Sequence, residues 1–138
     1  MRRLRSDSGA VAVEFALVMV PLLLILLGII DFGRAYGSQL SVSAAAREGV
    51  RSMAVQGVAS TAKNVAISAA GELSPALTTS QIAITYKKDA DGTSASACSS
   101  GVSVTMTVTY PLTSLTGMFT STFAGKNIRE VGVMRCNG

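Results

Sequence analysis

Gly9-Ala10-Val11-Ala12-Val13-Glu14-Phe15-Ala16-Leu17-Val18-Met19-Val20-Pro21-Leu22-Leu23-Leu24-Ile25-Leu26-Leu27-Gly28-Ile29-Ile30 is the stretch on which the reading of this 138-residue chain turns. The 21 residues from Ala10 to Ile30 are all apolar or small except Glu14. As a helix they extend about 31 Å, the thickness of a bilayer's hydrocarbon core. Arg2, Arg3 and Arg5 stand before the run, and Asp31 and Arg34 close it. The positive-inside bias therefore puts the N-terminus in the cytoplasm and the bulk of the chain on the other side.

Glu14 is the anomaly. A carboxylate inside a bilayer costs roughly 2.5–3.5 kcal/mol on the mildest scale, so it needs a partner. One reading lets it snorkel to the headgroups at the start of the helix, where the helix dipole favours an anion. The other makes Gly9 a cleavage point, so that the mature chain begins with the free amine of Ala10. Amine and carboxylate from neighbouring copies then neutralise each other inside a bundle of such helices. Ser6-Asp7-Ser8-Gly9 is small and polar, suited to an extended approach to a protease. Two rival processings remain open here. A secretory signal peptide would be cut after the apolar run, for instance after Gly37, although its core is ordinarily shorter than this one. An uncleaved signal anchor would keep Met1.

Gly9, Glu14 and Phe15 at the mouth of a single apolar run, behind a short basic leader, resemble a class III (prepilin-type) signal. The longer string through Pro21 to Gly28-Ile-Ile-Asp31-Phe32-Gly33-Arg34 is similar to the TadE-like family. So is Ala44-Ala-Ala-Arg47-Glu48-Gly49-Val50-Arg51. That family comprises minor pilins or pseudopilins of tight-adherence (Tad/Flp) type IV pilus systems. The resemblance implies three segments: a prepilin leader over 1–9, a transmembrane and filament-core helix over 10–30, and an extracytoplasmic α+β domain over 31–138. It also implies partners: a prepilin peptidase cutting between Gly9 and Ala10, a major Flp-type pilin and related minor pilins, and an inner-membrane assembly platform. The implied location is a single-pass membrane protein that passes to a cell-surface pilus.

Composition narrows the function classes. The chain carries net charge +4; loss of residues 1–9 removes three arginines and one aspartate and leaves +2. The remaining cations are scattered and not interleaved with aromatics, so no nucleic-acid partner is expected. There is no histidine, which excludes Ser-His-Asp and Cys-His catalysis. The glycines stand singly, without a phosphate-binding loop, and no enzyme activity and no cofactor are expected. Cys98 and Cys136 both follow the apolar run, in a compartment expected to be oxidising. A disulfide between them would fasten the C-terminal tail to the loop before the central strand; the alternative is two buried thiols. Two cysteines without histidine do not make a zinc site.

The local pattern predicts an α+β fold: one long helix, a short second helix and a small, mainly antiparallel sheet of about three strands, a pilin-like lollipop. Pro21 is expected to kink the span, and Gly28 is either a packing notch or passive. Phe32, Tyr36, Leu40, Ala46, Val50, Met53, Ala54 and Val58 form one apolar stripe on a helix from Asp31 to about Gln56, ended by Gly57. Arg47, Glu48 and Arg51 read as a solvated face or a subunit contact. A second helix is expected over 59–73, with Ala62, Val65, Ala66 and Ala69 inward and Ser74-Pro75 ending it. Gln81–Lys87 reads as a strand, and Lys88–Gly101 as a polar loop in which Asp89 and Asp91 bracket a turn. Val102–Tyr110 alternates strictly, apolar on one face and Ser/Thr on the other. Leu112, Leu115, Phe119 and Phe123 are expected to cover the sheet edge. Lys126–Cys136 returns as the last strand, with Val131 and Val133 inward.

Two functions lead over a weaker third, a secreted β-rich module released by ordinary signal cleavage. One is a minor pilin or pseudopilin, in which Glu14 and Phe15 set subunit register and the span serves first as a membrane-lipid anchor and then as filament core. Its contribution would be to assembly, initiation or adhesion, the last through the Ser/Thr-rich domain. The other is a single-pass anchored ectodomain that binds a surface partner without assembling.

Overall fold

The computed structural model describes residues 8–71, 73–117 and 119–136. Its organising element is α1 (Ser8–Gln56), 49 residues and about 74 Å long, which runs unbroken through Pro21. Gly57 ends it at φ +69°, its N–H bonded to the Met53 carbonyl at 2.9 Å, a left-handed cap open to glycine at no steric cost.

After α1 come α2 (Ala59–Ala69), a short 3-10 turn (Thr79–Gln81), β1 (Ile82–Lys88), β2 (Ser94–Ala95), β3 (Val102–Pro111), α3 (Thr120–Phe123) and β4 (Asn127–Arg135). The sheet is antiparallel throughout, in the order β2-β1-β3-β4. This is the α+β class expected, with four strands where about three were expected. The extra one is β2. Lys88–Gly101 is not wholly a loop, because the Asp91-Gly92 turn sends Ser94 and Ala95 back to pair with Lys87 and Tyr86. Asp91 holds that turn by accepting hydrogen bonds from the Thr93 N–H (3.0 Å) and hydroxyl (2.7 Å).

β3 fulfils its alternation: Val102, Val104, Met106, Val108 and Tyr110 are all buried. They pack on the upper part of α1, whose buried positions Val42, Ala45, Ala46, Gly49, Val50 and Met53 recur at helical spacing. α2 adds Ala62 and Ala66 to the same core, with Val65 and Ala69 half-buried.

Four expectations need correction. The stripe on α1 begins later than its periodicity suggested. Ala46, Val50, Met53 and Ala54 are buried, but Phe32, Tyr36, Leu40 and Val58 are 47–65% exposed, since strands and α2 cover the helix only from about Val42 upward. α2 ends at Ala69 rather than at residue 73, because Gly71 turns the chain at φ +62° before Ser74-Pro75 is reached. Glu72 lies outside the described residues. Val131 and Val133 face outward, 52% and 62% exposed. The inward residue between them is Gly132, where a Cβ would lie 2.5 Å from the Ala46 carbonyl oxygen. α1 crosses β4 too closely there for any side chain, and in a strand that choice of face fixes its neighbours on the opposite one. Finally, Ser8 and Gly9 are helical, not extended, because a nucleated helix gains a hydrogen bond for each residue it adds. The remainder of the leader, residues 1–7 with its three arginines, lies outside the described residues.

Candidate functional site: a free apolar helix and its neck

The first part of α1 is bare along nearly its whole length. Residues 9–26 are exposed, Met19 alone being half-buried. The helix contains an 18-residue window of mean hydropathy 2.8 with none of it buried. A helix of this composition inside a globular core would be covered by its neighbours, and this one is bare. It is long and apolar enough to cross a membrane. Gly9 and Ala10 occupy its first turns, with Glu14 exposed and Phe15 64% exposed beside it. Gly9 has open space around it, with nothing within 4 Å of where a Cβ would stand.

Contact with the head begins at Leu27 and Gly28, both half-buried, and tightens at once. Asp31 is 3% exposed. Its Oδ2 accepts hydrogen bonds from the Ser114 and Thr116 hydroxyls, each at 2.7 Å. Its Oδ1 accepts from the Leu115 and Thr116 N–H groups at 2.9 and 3.1 Å. Burial pushes the Asp31 carboxyl up, but these hydrogen bonds favour the charged form and outweigh it, holding the group at about 2. Beside it, the Phe32 ring packs against Phe119 (centroids 6.0 Å) and edge-on to Phe123 (5.7 Å). One turn on, an Arg34 Nη donates to the Ser74 carbonyl at 2.7 Å. The Tyr110 hydroxyl binds the neighbouring Pro75 carbonyl at 2.7 Å.

Asp31, Phe32 and Arg34 thus clamp two loops onto the helix where it leaves the head. The loop of residues 112–126, between β3 and β4, forms a collar against one side of that exit. It covers the lower helix and not the sheet edge, which corrects the expectation for Leu112–Phe123. Gly28 lies beside the Phe119 ring, where a Cβ would make ordinary contact at 3.8 Å, so no packing notch is required there. Sequence reading found the exit motif but not the clamp. The signal was present in a single aspartate at the end of an apolar run and a Ser-Leu-Thr triplet rich in donors, 83–85 residues apart. No local pattern joins them.

Two further predicted groups lie away from the neck. Cys98 and Cys136 form a disulfide, Cα–Cα 5.5 Å, tying the end of β4 to the loop before β3. Arg47, Glu48 and Arg51 are exposed, as a solvated face would be, while Gly49 between them is buried where a Cβ would collide with the Met106 sulfur and the Ala66 methyl.

The free helix, the neck and the buried Gly49 all fall within one recognisable segment. Residues 9–51 match the model of the TadE-like protein family. No curated protein and no solved structure matches the chain. The TadE-like segment opens at Gly9 and closes at Arg51, before α2 and the sheet begin. It points to a protein associated with a Tad pilus and to pilin-type partners. Its Asp31-Phe32-Gly33-Arg34 string is the clamp, and its Gly49 is the point where strand and second helix close on α1.

Proposed function

We propose that this chain is a minor pilin or pseudopilin of a Tad/Flp pilus, processed between Gly9 and Ala10 and assembled through its apolar helix. The observation that carries this reading is the bare helix over residues 9–26, joined to a head that is packed without it. Such a segment must be covered, first by lipid and then by the helices of other subunits. The head supplies a second support. Ile25, Ile29, Phe32, Tyr36 and Leu40 are each more than half exposed and, three or four residues apart, share one face of α1. That stripe continues from the span into the head and offers a packing surface to neighbouring pilin helices.

In this mechanism the prepilin enters the inner membrane with its leader in the cytoplasm and its head outside. Peptidase cleavage frees the amine of Ala10. Glu14 of one subunit neutralises such an amine on another, and a wrong register leaves a charge unpaired in an apolar core. The assembly platform and the major pilin then draw the helix out of the lipid. The test is Glu14→Ala. Membrane insertion should be retained while recovery in sheared pili falls by an order of magnitude or more. Unchanged recovery would remove Glu14 from the mechanism.

A further inference from the structure

The collar carries features that the clamp alone does not use. Its Phe119 ring reaches Gly28, two residues before the end of the apolar run and about 3 Å below it along the helix. The clamp on Asp31 turns the hydroxyls of Ser114 and Thr116 inward and leaves Leu115 between them 60% exposed. Residues 112–125 include no charged side chain, and the first one after them is the exposed Lys126. At the other end of the sheet the surface is charged: Lys87, Lys88, Asp89 and Arg135 cluster there, where β1 and β4 flank the start of β3.

We propose that the collar is a second membrane contact, seated on the leaflet that faces the head. This rests on the anchoring of α1 in a membrane. Given that anchor, the level of Gly28 and Asp31 is the boundary between hydrocarbon and headgroups. Leu115 then enters that boundary and buries its apolar side chain there, beside the Phe32, Phe119 and Phe123 cluster. Lys126 faces the phosphates of anionic lipids. The occupant is lipid because Asp31 holds Leu115 at the level of the helix where the bilayer would end, its large apolar side chain exposed there, and residues 112–125 carry no charge before Lys126. Two contacts, the span and the collar, would hold the head at a fixed tilt before assembly.

The chain has no tryptophan, so a single introduced one reports alone. Full-length Leu115→Trp, Leu22→Trp and Val55→Trp proteins are reconstituted in vesicles of phosphatidylcholine and phosphatidylglycerol. The lipids are brominated either near the headgroup or near the chain end. Leu22→Trp reports the anchor and Val55→Trp, at the far end of α1, reports water. The expected result is quenching of Leu115→Trp by shallow bromines more than by deep ones, with blue-shifted emission, and no quenching of Val55→Trp. A nitroxide on Leu115→Cys, read by oxygen and nickel accessibility, should give the same shallow depth without a bulky ring. If Leu22→Trp is quenched while both reporters at 115 behave as at 55, the collar is not a membrane contact. A blue shift that grows with protein density but resists bromine would assign the collar to a second copy and equally overturn the proposal. If Leu22→Trp itself escapes quenching, the anchor fails and the collar proposal with it.

Discussion

The Thr116 hydroxyl donates a 2.7 Å hydrogen bond to Asp31 across 85 residues of sequence, and the N–H of the same threonine donates another at 3.1 Å. The pair fixes the collar to the helix exit. Because hydrogen bonding lowers the Asp31 carboxyl from 3.8 to about 2, its contribution is complete above pH 3.8 and is lost as pH falls toward 2. The protection of the Leu115 and Thr116 amides, corrected for intrinsic exchange at each pH, should therefore fall across that window. In Asp31→Ala the same amides should exchange about tenfold faster at neutral pH, and the acid dependence should vanish. Unchanged protection would mean that the collar is held by its aromatics alone.

Gly132 and Val133 should respond in opposite ways. Gly132→Ala sets a methyl against the Ala46 carbonyl at 2.5 Å and forces α1 away from β4. Overpacking of this kind costs roughly 1–3 kcal/mol. Val133→Thr lies on the exposed face and should shift stability by less than about 0.5 kcal/mol. Denaturant unfolding in detergent, followed by tyrosine fluorescence, measures both.

The disulfide closes a loop with a sequence separation of 38 residues. Chain entropy gives it about 4 kcal/mol, so Cys98→Ser with Cys136→Ser should lower head stability by a comparable amount. Reduction of the native protein should produce the same shift in midpoint, and reduction of the double variant should produce none.

What the sequence revealed follows from how far each signal reaches along the chain. Periodicity located α1, β3 and the start of α2, because each is decided by neighbours within a turn or a pleat. The span was plain from length and composition. The outward turn of Val131 and Val133 was hidden, since two valines at alternate positions look inward-facing until the approach of Ala46 to Gly132 is known. The exposure of Phe32, Tyr36 and Leu40 was hidden for a related reason: an apolar stripe does not say how much of its length the head covers. The clamp was out of reach because Asp31 and Ser114–Thr116 meet only in the fold.

The central claim is that the bare helix is the mature N-terminus of an assembling subunit, and its most direct test is the first residue of the mature chain. Intact mass or N-terminal sequencing would be run on protein taken from membranes of cells that carry a prepilin peptidase. The account predicts a chain beginning at Ala10, and Met1 in cells lacking the peptidase. A chain that begins at Met1 in both would make the protein an anchored ectodomain. One that begins at or beyond Ser38 would remove the filament helix altogether, and either result would contradict the account.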